Sequence, residues 1–216
     1  MKYDKFTYLY PTRPEQAIVK EMLPHYEAKG WIAQIKKNGQ CSIIAISPTK
    51  EMIFMNRHNE KHKRWTPTKE IKDLFSKLPD KWFYFCGEIL HNKTPHIKNT
   101  IYIYDILVAN GKYLTGESYD DRQALLYEIF IDLHRKSSIQ MNLVEEGKGY
   151  YKVTENVWLV RNYVANFKKV FDSITNPEDE GLVLKDPKAK LGSCFRKMSN
   201  GNWQRKCRLP QKNYGY

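Results

Sequence analysis

Ile32-Ala33-Gln34-Ile35-Lys36-Lys37-Asn38-Gly39-Gln40 sets two lysines where an apolar run gives out into a tight turn. From Gly30 to Ile35 only Gln34 breaks the apolar character, and from Cys41 to Ser47 the run Ser42-Ile43-Ile44-Ala45-Ile46 has the same look. Asn-Gly between two such runs predicts a hairpin, because a type I′ turn needs positive φ at both central residues and these two types tolerate it. Lys36 and Lys37 would then sit fixed at a strand end. A lysine there is either a solvated charge flanking the turn or a nucleophile. An amine attacks only when it has lost its proton, which takes desolvation or neighbouring cations.

Outward from this stretch, Thr12-Arg13-Pro14-Glu15 has the spacing of a capping box with proline in the first turn, which predicts a helix from Pro14 to Leu23 ending at Pro24. Met52 to Met55 reads as a third strand. It leads into the basic segment Asn56-Arg57-His58-Asn59-Glu60-Lys61-His62-Lys63-Arg64, open between a solvated charge run and a binding loop. Ile71, Leu74, Phe75 and Leu78 recur at helical spacing up to Pro79. Trp82 to Leu90 is strand-like, and Glu88 stands among its aromatics; a carboxylate there belongs to an edge or to a site, since burying it unpaired costs several kcal/mol.

Thr100 to Val108 is the next strand, with Tyr102 and Tyr104 on one face and Asn110-Gly111 as its turn. Cross-strand packing is the default role for Tyr104. A helix follows from Asp120 to His134 with Ala124, Leu125, Ile129 and Leu133 inward, and a weaker Gly-containing stretch runs from Glu145 to Tyr151. After the strand Val157 to Val160, the residues Phe167, Val170, Phe171 and Ile174 repeat at helical spacing. Glu178-Asp179-Glu180-Gly181-Leu182-Val183-Leu184-Lys185 then runs three acids into an apolar strand that ends on a lysine, and Asn202 to Arg208 is strand-like again.

At 216 residues the chain can bury a sizeable core without staples. A formal charge of +12 with 13% aromatics favours a polyanion, nucleic acid first, as substrate or partner. The last 32 residues carry nine Lys or Arg against Asp186 alone. Cys41, Cys86, Cys194 and Cys207 are scattered with no metal-ligand spacing, which indicates neither zinc nor a disulfide framework and fits a reducing, cytoplasmic setting. No run of the sequence approaches a membrane span, and no signal segment opens it.

Taken in order, these features resemble the adenylation domain of ATP-dependent polynucleotide ligases, in the superfamily of covalent lysine nucleotidyltransferases that includes RNA ligases and mRNA capping enzymes. Lys36-Lys37-Asn38-Gly39 matches the motif K-x-D/N-G, Asn56-Arg57 the arginine after a strand, and Cys86-Gly87-Glu88 the motif D-G-E. Tyr104-Asp105-Ile106-Leu107 matches F/Y-D-I-L, with Asp121-Arg122-Gln123-Ala124-Leu125-Leu126 following as in such ligases. Glu180 to Lys185 matches E-G-x-x-x-K, Arg196 an intervening arginine, and Lys206-Cys207-Arg208 the final K-x-K, which can also be aligned one residue over on Arg205 and Cys207.

The resemblance implies an α+β, ATP-grasp-like domain over residues 1–208, with mainly antiparallel sheets flanked by helices, a tail at 209–216 and no OB-fold domain. It implies that Lys36 takes the adenylyl group of ATP and passes it to a 5′-phosphate for sealing to a 3′-hydroxyl. Gln34, Ile35, Arg57, Glu88, Tyr104, Lys185, Arg196, Lys206 and Arg208 would hold the nucleotide, with Tyr104 stacked on adenine. Glu88 and Glu180 would hold Mg²⁺, or Mn²⁺ in its place. Lys185, Lys206 and Arg57 would depress the Lys36 pKa and neutralise phosphate oxygens. The implied partner is nicked duplex DNA or RNA, DNA ahead because Cys86 to Leu126 looks more like DNA ligases; Asn38 for the commoner aspartate, guanylyl transfer in capping, and a basic nucleic-acid-binding module that kept the fold without the chemistry keep the alternatives open. Cys41 stands where many DNA ligases carry an arginine, and Cys86 where the motif has aspartate. A monomer is expected, working as a minimal ligase or borrowing the missing domain from a partner protein.

Overall fold

The computed structural model describes residues 1–94, 96–136, 149–193, 195 and 202–210. In chain order the elements are β1 (Gln16–Ile18), α1 (Leu23–Ala28), β2 (Ile32–Lys37), β3 (Gln40–Ile46), β4 (Met52–Asn56), α2 (Lys69–Ser76), β5 (Phe83–Leu90), β6 (Thr100–Ala109), β7 (Lys112–Tyr113), α3 (Tyr119–Arg135), β8 (Tyr150–Lys152), β9 (Val157–Val160), α4 (Phe167–Asp172), β10 (Asp179–Lys185) and β11 (Gln204–Arg208). They make two sheets. The larger has the order β4-β3-β5-β6-β9-β8 with β7 added to β6, and the smaller has the order β1-β11-β10-β2. Pairing is antiparallel except for β6 with β9 and β1 with β11.

Strand alternation separates the two faces of each sheet. Ile44 and Ile46 of β3, Phe83 and Phe85 of β5 and Ile103 of β6 pack against Ile71, Leu74 and Phe75 of α2 and Leu126, Phe130 and Leu133 of α3. Behind the smaller sheet, Ala33, Ile35, Leu182, Leu184 and Cys207 pack against Leu23 and Tyr26 of α1 and Phe167 and Phe171 of α4. Helices therefore cover the outer faces, and the inner faces turn toward each other across a cleft. Thr68 and Ser118 cap α2 and α3, accepting from the backbone N–H of Ile71 and Asp121.

The Asn38-Gly39 turn differs from expectation in an informative way. β2 pairs with β10 and β3 pairs with β4 and β5, so the dipeptide joins the two sheets and closes no hairpin. Neither Asn38 nor Gly39 has positive φ. Glycine is needed for space: a Cβ at Gly39 would meet the Ile89 carbonyl oxygen at 2.5 Å and Glu88 Cγ at 2.7 Å. Asn110-Gly111 is the turn the rule describes, with φ of 51° and 72° joining β6 to β7.

Two further expectations are corrected. In place of a helix from Pro14 to Leu23 the chain forms β1, a 3₁₀ turn at Lys20–Met22 and then α1, with Pro24 in the first turn of that helix. Proline costs little there because its missing N–H would have no helical partner. β1 exists because it pairs with β11, with Gln16 opposite Arg205, a partner no local pattern reveals. On α3 the buried positions are Tyr119, Arg122, Gln123, Leu126, Phe130 and Leu133, and Ala124 is exposed. The helix is rotated from its apolar stripe because Arg122 is drawn inward, donating from Nε and Nη2 to both Asp105 carboxylate oxygens at 3.0 Å. The stretch from Glu145 lies outside the described residues up to residue 148; β8 follows.

Candidate active site

The cleft between the two inner faces has a volume of about 1200 Å³. The register of the smaller sheet fixes what faces it. On β10, Gly181, Val183 and Lys185 lie opposite Lys36, Gln34 and Ile32 of β2 on one side and Arg208, Lys206 and Gln204 of β11 on the other. Gln34, Lys36, Lys185, Lys206 and Arg208 consequently share the cleft. Cys207 lies in the core behind the sheet, and Arg205 turns away to Tyr26, whose hydroxyl accepts from its Nε at 3.1 Å. Of the two alignments of the last basic motif, the one through Lys206 and Arg208 reaches the cleft.

Pairing of β2 with β10 shifts register between Asp179 and Gly181, and Glu180 occupies the bulge. There its carboxylate accepts from Lys36 Nζ, and Arg208 Nε lies at 3.7 Å from the same oxygen. Glu88 comes from the opposite sheet, across from Cys41 in the β3–β5 pairing. Burial pushes the Glu88 carboxyl up to about 7, with Glu180 adding to the rise and Lys36 and Lys93 working against it.

Lys185 is buried in the cleft wall, where its ammonium donates to the Tyr119 hydroxyl at 2.9 Å and lies 5.1 Å from the centre of the Tyr104 ring. Desolvation brings it down to about 7. Burial also lowers the Lys206 ammonium, helped by Arg208, Lys36 and Arg13. The Tyr104 ring, half-buried, faces the cleft with its hydroxyl 3.7 Å from Cys41 Sγ. Gln34 donates from Nε2 to Asn162 Oδ1 at 2.7 Å, so its amide is held in place. Ile35 is the exception within the predicted set, because its side chain packs in the core behind the sheet. Arg57 is exposed at the rim, donating from Nε to His58 Nε2 at 3.0 Å. Arg196 lies outside the described residues.

Sequence reasoning missed several neighbours. Asn162 and Tyr119, which orient Gln34 and Lys185, carry no motif of their own. Lys37 forms a buried ion pair with Asp179 at 2.6 Å and lies over the Tyr102 and Tyr150 rings at 4.5 and 4.1 Å. The N-terminal segment supplies Arg13 to the cleft. No group of three or more His, Cys, Asp or Glu side chains that could hold a metal occurs among the described residues. The two glutamates nevertheless suit Mg²⁺, which usually takes only one or two carboxylates and completes its shell with phosphate oxygens and water. Burial raises Glu88 against the pull of Lys36 and Lys93, so a cation bound beside it would offset that cost.

Two opposed sheets with helices outside and a cleft between them make a fold that solved ligase structures share. The ligase domain of LigD from M. tuberculosis superposes with a TM-score of 0.64 over 94% of this chain and 60% of its own length, at 15% identity. The DNA ligase of bacteriophage T7, in complex with ATP, gives 0.55 over 92% of this chain and 68% of that one, at 13% identity. A Lig E DNA ligase gives 0.52 with the same coverage and identity. The chain thus spans about 60% of the length of the LigD domain. No curated protein matches it in sequence.

Residues 87–203 match the family described as the ATP dependent DNA ligase domain, and the chain belongs to that family. The matched span includes Glu88, Tyr104, Glu180 and Lys185, while Lys36, Arg57, Lys206 and Arg208 lie outside it. No helix among the described residues is long and apolar enough to cross a membrane.

Proposed function

We propose that this chain is the catalytic unit of an ATP-dependent DNA ligase, with residues 1–208 as its adenylation domain. The observation that carries the reading is Lys36, held at a strand end against Glu180 inside a cleft it shares with Glu88, Lys185, Lys206 and Arg208. In the first step Lys36 Nζ, after giving up a proton, forms a bond to the α-phosphorus of ATP while the bond to the β-phosphate oxygen breaks and pyrophosphate leaves. Glu180, already accepting from Nζ, is the group placed to hold that amine in line. A 5′-phosphate oxygen then displaces Lys36 from the adenylate, and a 3′-hydroxyl displaces AMP.

Charge stabilisation is the main service a phosphoryl-transfer site supplies. Lys185 and Lys206 would face the phosphate oxygens, Arg57, Arg208 and Arg196 would add to them, and the Tyr104 ring would stack on adenine. Gln34 would face the base edge. Glu88 and Glu180 would hold Mg²⁺ or Mn²⁺, which when bound neutralises phosphate charge. DNA stands ahead of RNA because the matching family is a DNA ligase family. A monomer is the expected working form, with a partner protein or a further segment supplying what the longer ligases add.

Incubation with labelled ATP and Mg²⁺ tests the proposal. A covalent AMP adduct is expected on the wild type and none on Lys36→Ala, and the adduct should be discharged by nicked DNA in preference to nicked RNA or single-stranded RNA. No adduct on the wild type, or one that survives Lys36→Ala, ends the reading.

A further inference from the structure

The basic segment between β4 and α2 is built as a fixed loop. Asn56 Oδ1 accepts from the backbone N–H of His58 at 2.8 Å and of Glu60 at 3.1 Å, and the Asn56 N–H donates to the Glu60 carbonyl at 2.7 Å. The Tyr8 hydroxyl ties down the Asn56 carbonyl at 2.8 Å. At the far end Trp65 is buried, 5.2 Å from the Phe54 ring, and His62 Nε2 is 3.1 Å from Ser42 Oγ. Between these anchors Lys61, Lys63 and Arg64 are exposed and line the cleft mouth. The one acid of the loop, Glu60, is turned back to accept from Asn56 Nδ2 at 3.2 Å.

The cations of the cleft fall into two classes. Lys185 and Lys36 are buried or half-buried and have partners, which suits the phosphates undergoing chemistry. Lys61, Lys63 and Arg64 present their charge to solvent, three cations within four residues on the cleft wall, which suits the repeating phosphates of a polyanion. Among the described residues, eleven Lys and Arg line the cleft against four Glu. Resting on the ligase reading, we infer that the loop 57–64 is a clamp for the phosphodiester backbone of the DNA being sealed, acting through Lys61, Lys63 and Arg64. Its preformed turn means that little ordering entropy opposes binding.

The test uses the full chain carrying Lys61→Ala, Lys63→Ala and Arg64→Ala together, with a charge-preserving partner, Lys61→Arg, Lys63→Arg and Arg64→Lys. The probe is an end-labelled DNA duplex with one 5′-phosphorylated nick, titrated from about 50 to 200 mM salt. Three lost phosphate contacts should flatten the slope of log K against log salt by about 2 to 3 and weaken binding by about ten- to a hundredfold at the lower salt. The charge-preserving variant should bind like the wild type, and adenylate formation with ATP alone should be unchanged in both. Wild-type affinity and slope in the alanine variant, or a parallel loss of adenylate formation, overturns the clamp. If the wild type itself forms no adenylate the ligase reading fails, and that result is distinct from either binding outcome.

Discussion

Lys36 and Lys37 are neighbours on one strand, and each pairs with a neighbouring acid on β10, Glu180 and Asp179. Their surroundings separate them. The side chains of Lys37 and Asp179 are each 2% exposed and enclosed by Tyr102 and Tyr150, while those of Lys36 and Glu180 are 20% and 10% exposed and open on the cleft. A sealed pair can only hold two strands together. An open one can give up its partner to a substrate, so on the proposed reading the alternation of one β-strand would divide stability from chemistry between adjacent residues.

The sharpest way to break this division is to remove each lysine in turn. Lys36→Ala should reduce adduct formation at least about a thousandfold, because no other amine occupies its place. It should shift stability by about 1–2 kcal/mol, less than loss of a sealed pair, since the cleft admits some solvent to Glu180 and Arg208 remains near it. Labelling and urea unfolding on one preparation measure both numbers. A variant that loses labelling only because it has unfolded would erase the distinction.

Lys37→Met should do the reverse. It leaves Asp179 buried without its cation, at a cost of about 3–5 kcal/mol. Burial already holds Asp179 above and Lys37 below their ordinary ranges, so the acid has no easy way to keep its charge alone. Adding Asp179→Leu should recover most of that loss, as replacing a whole buried pair by apolar groups often does. The folded fraction should still label in both variants. Loss of labelling in fully folded Lys37→Met protein would make Lys37 part of the chemistry.

The two Asn-Gly turns show what the sequence could and could not reveal. At Asn110-Gly111 the flanking strands pair with each other and the turn chemistry is sufficient. At Asn38-Gly39 the same dipeptide ends two strands that pair elsewhere, and only β5 crossing beneath Gly39 explains the glycine. Ordered motifs named Lys36, Glu88, Tyr104, Glu180 and Lys185, and the fold brings all five to one cleft, because each stands on a strand whose register turns it inward. The strand β1, the buried Arg122 and the Lys37–Asp179 pair were illegible. Each depends on a distant partner, and a charged side chain in a sequence reads as surface until that partner is known.

Alanine at the two glycines sharpens the same point on a smaller scale. Gly39→Ala should cost about 1–3 kcal/mol, since its Cβ must displace β5 backbone, and should slow adduct formation by moving Glu88. Gly111→Ala should cost about 1–2 kcal/mol through left-handed strain at φ 72°, with the nearest atom 3.5 Å from the new Cβ and labelling untouched. Unfolding curves and labelling rates decide the pair, and slower labelling in Gly111→Ala would contradict it.

The last expected effect is the most gradual, a slope in stability spread over several pH units and set by two ionisable groups buried in the cleft wall. Lys185 titrates near 7 in the fold against 10.5 in an ordinary lysine. Below pH 7 it is protonated in both states and the fold bears the full cost of a buried ammonium. Between 7 and 10.5 the unfolded chain holds a proton that the fold has released, so stability rises with pH across that window. Lys185→Met removes the rise and should be more stable than the wild type at pH 6, with the difference shrinking toward pH 10. Glu88 has the opposite sign: its folded value near 7 against 4.5 makes stability fall as pH rises from 4.5 to 7, and Glu88→Gln should flatten that fall. Thermal unfolding across pH measures both, and parallel curves for wild type and variants would contradict them. On the ligase reading a triphosphate would lie against Lys185 and Mg²⁺ against Glu88, so their binding should stabilise the wild type more than either variant. The sealed Lys37–Asp179 pair, which already has both charges, should be indifferent to it.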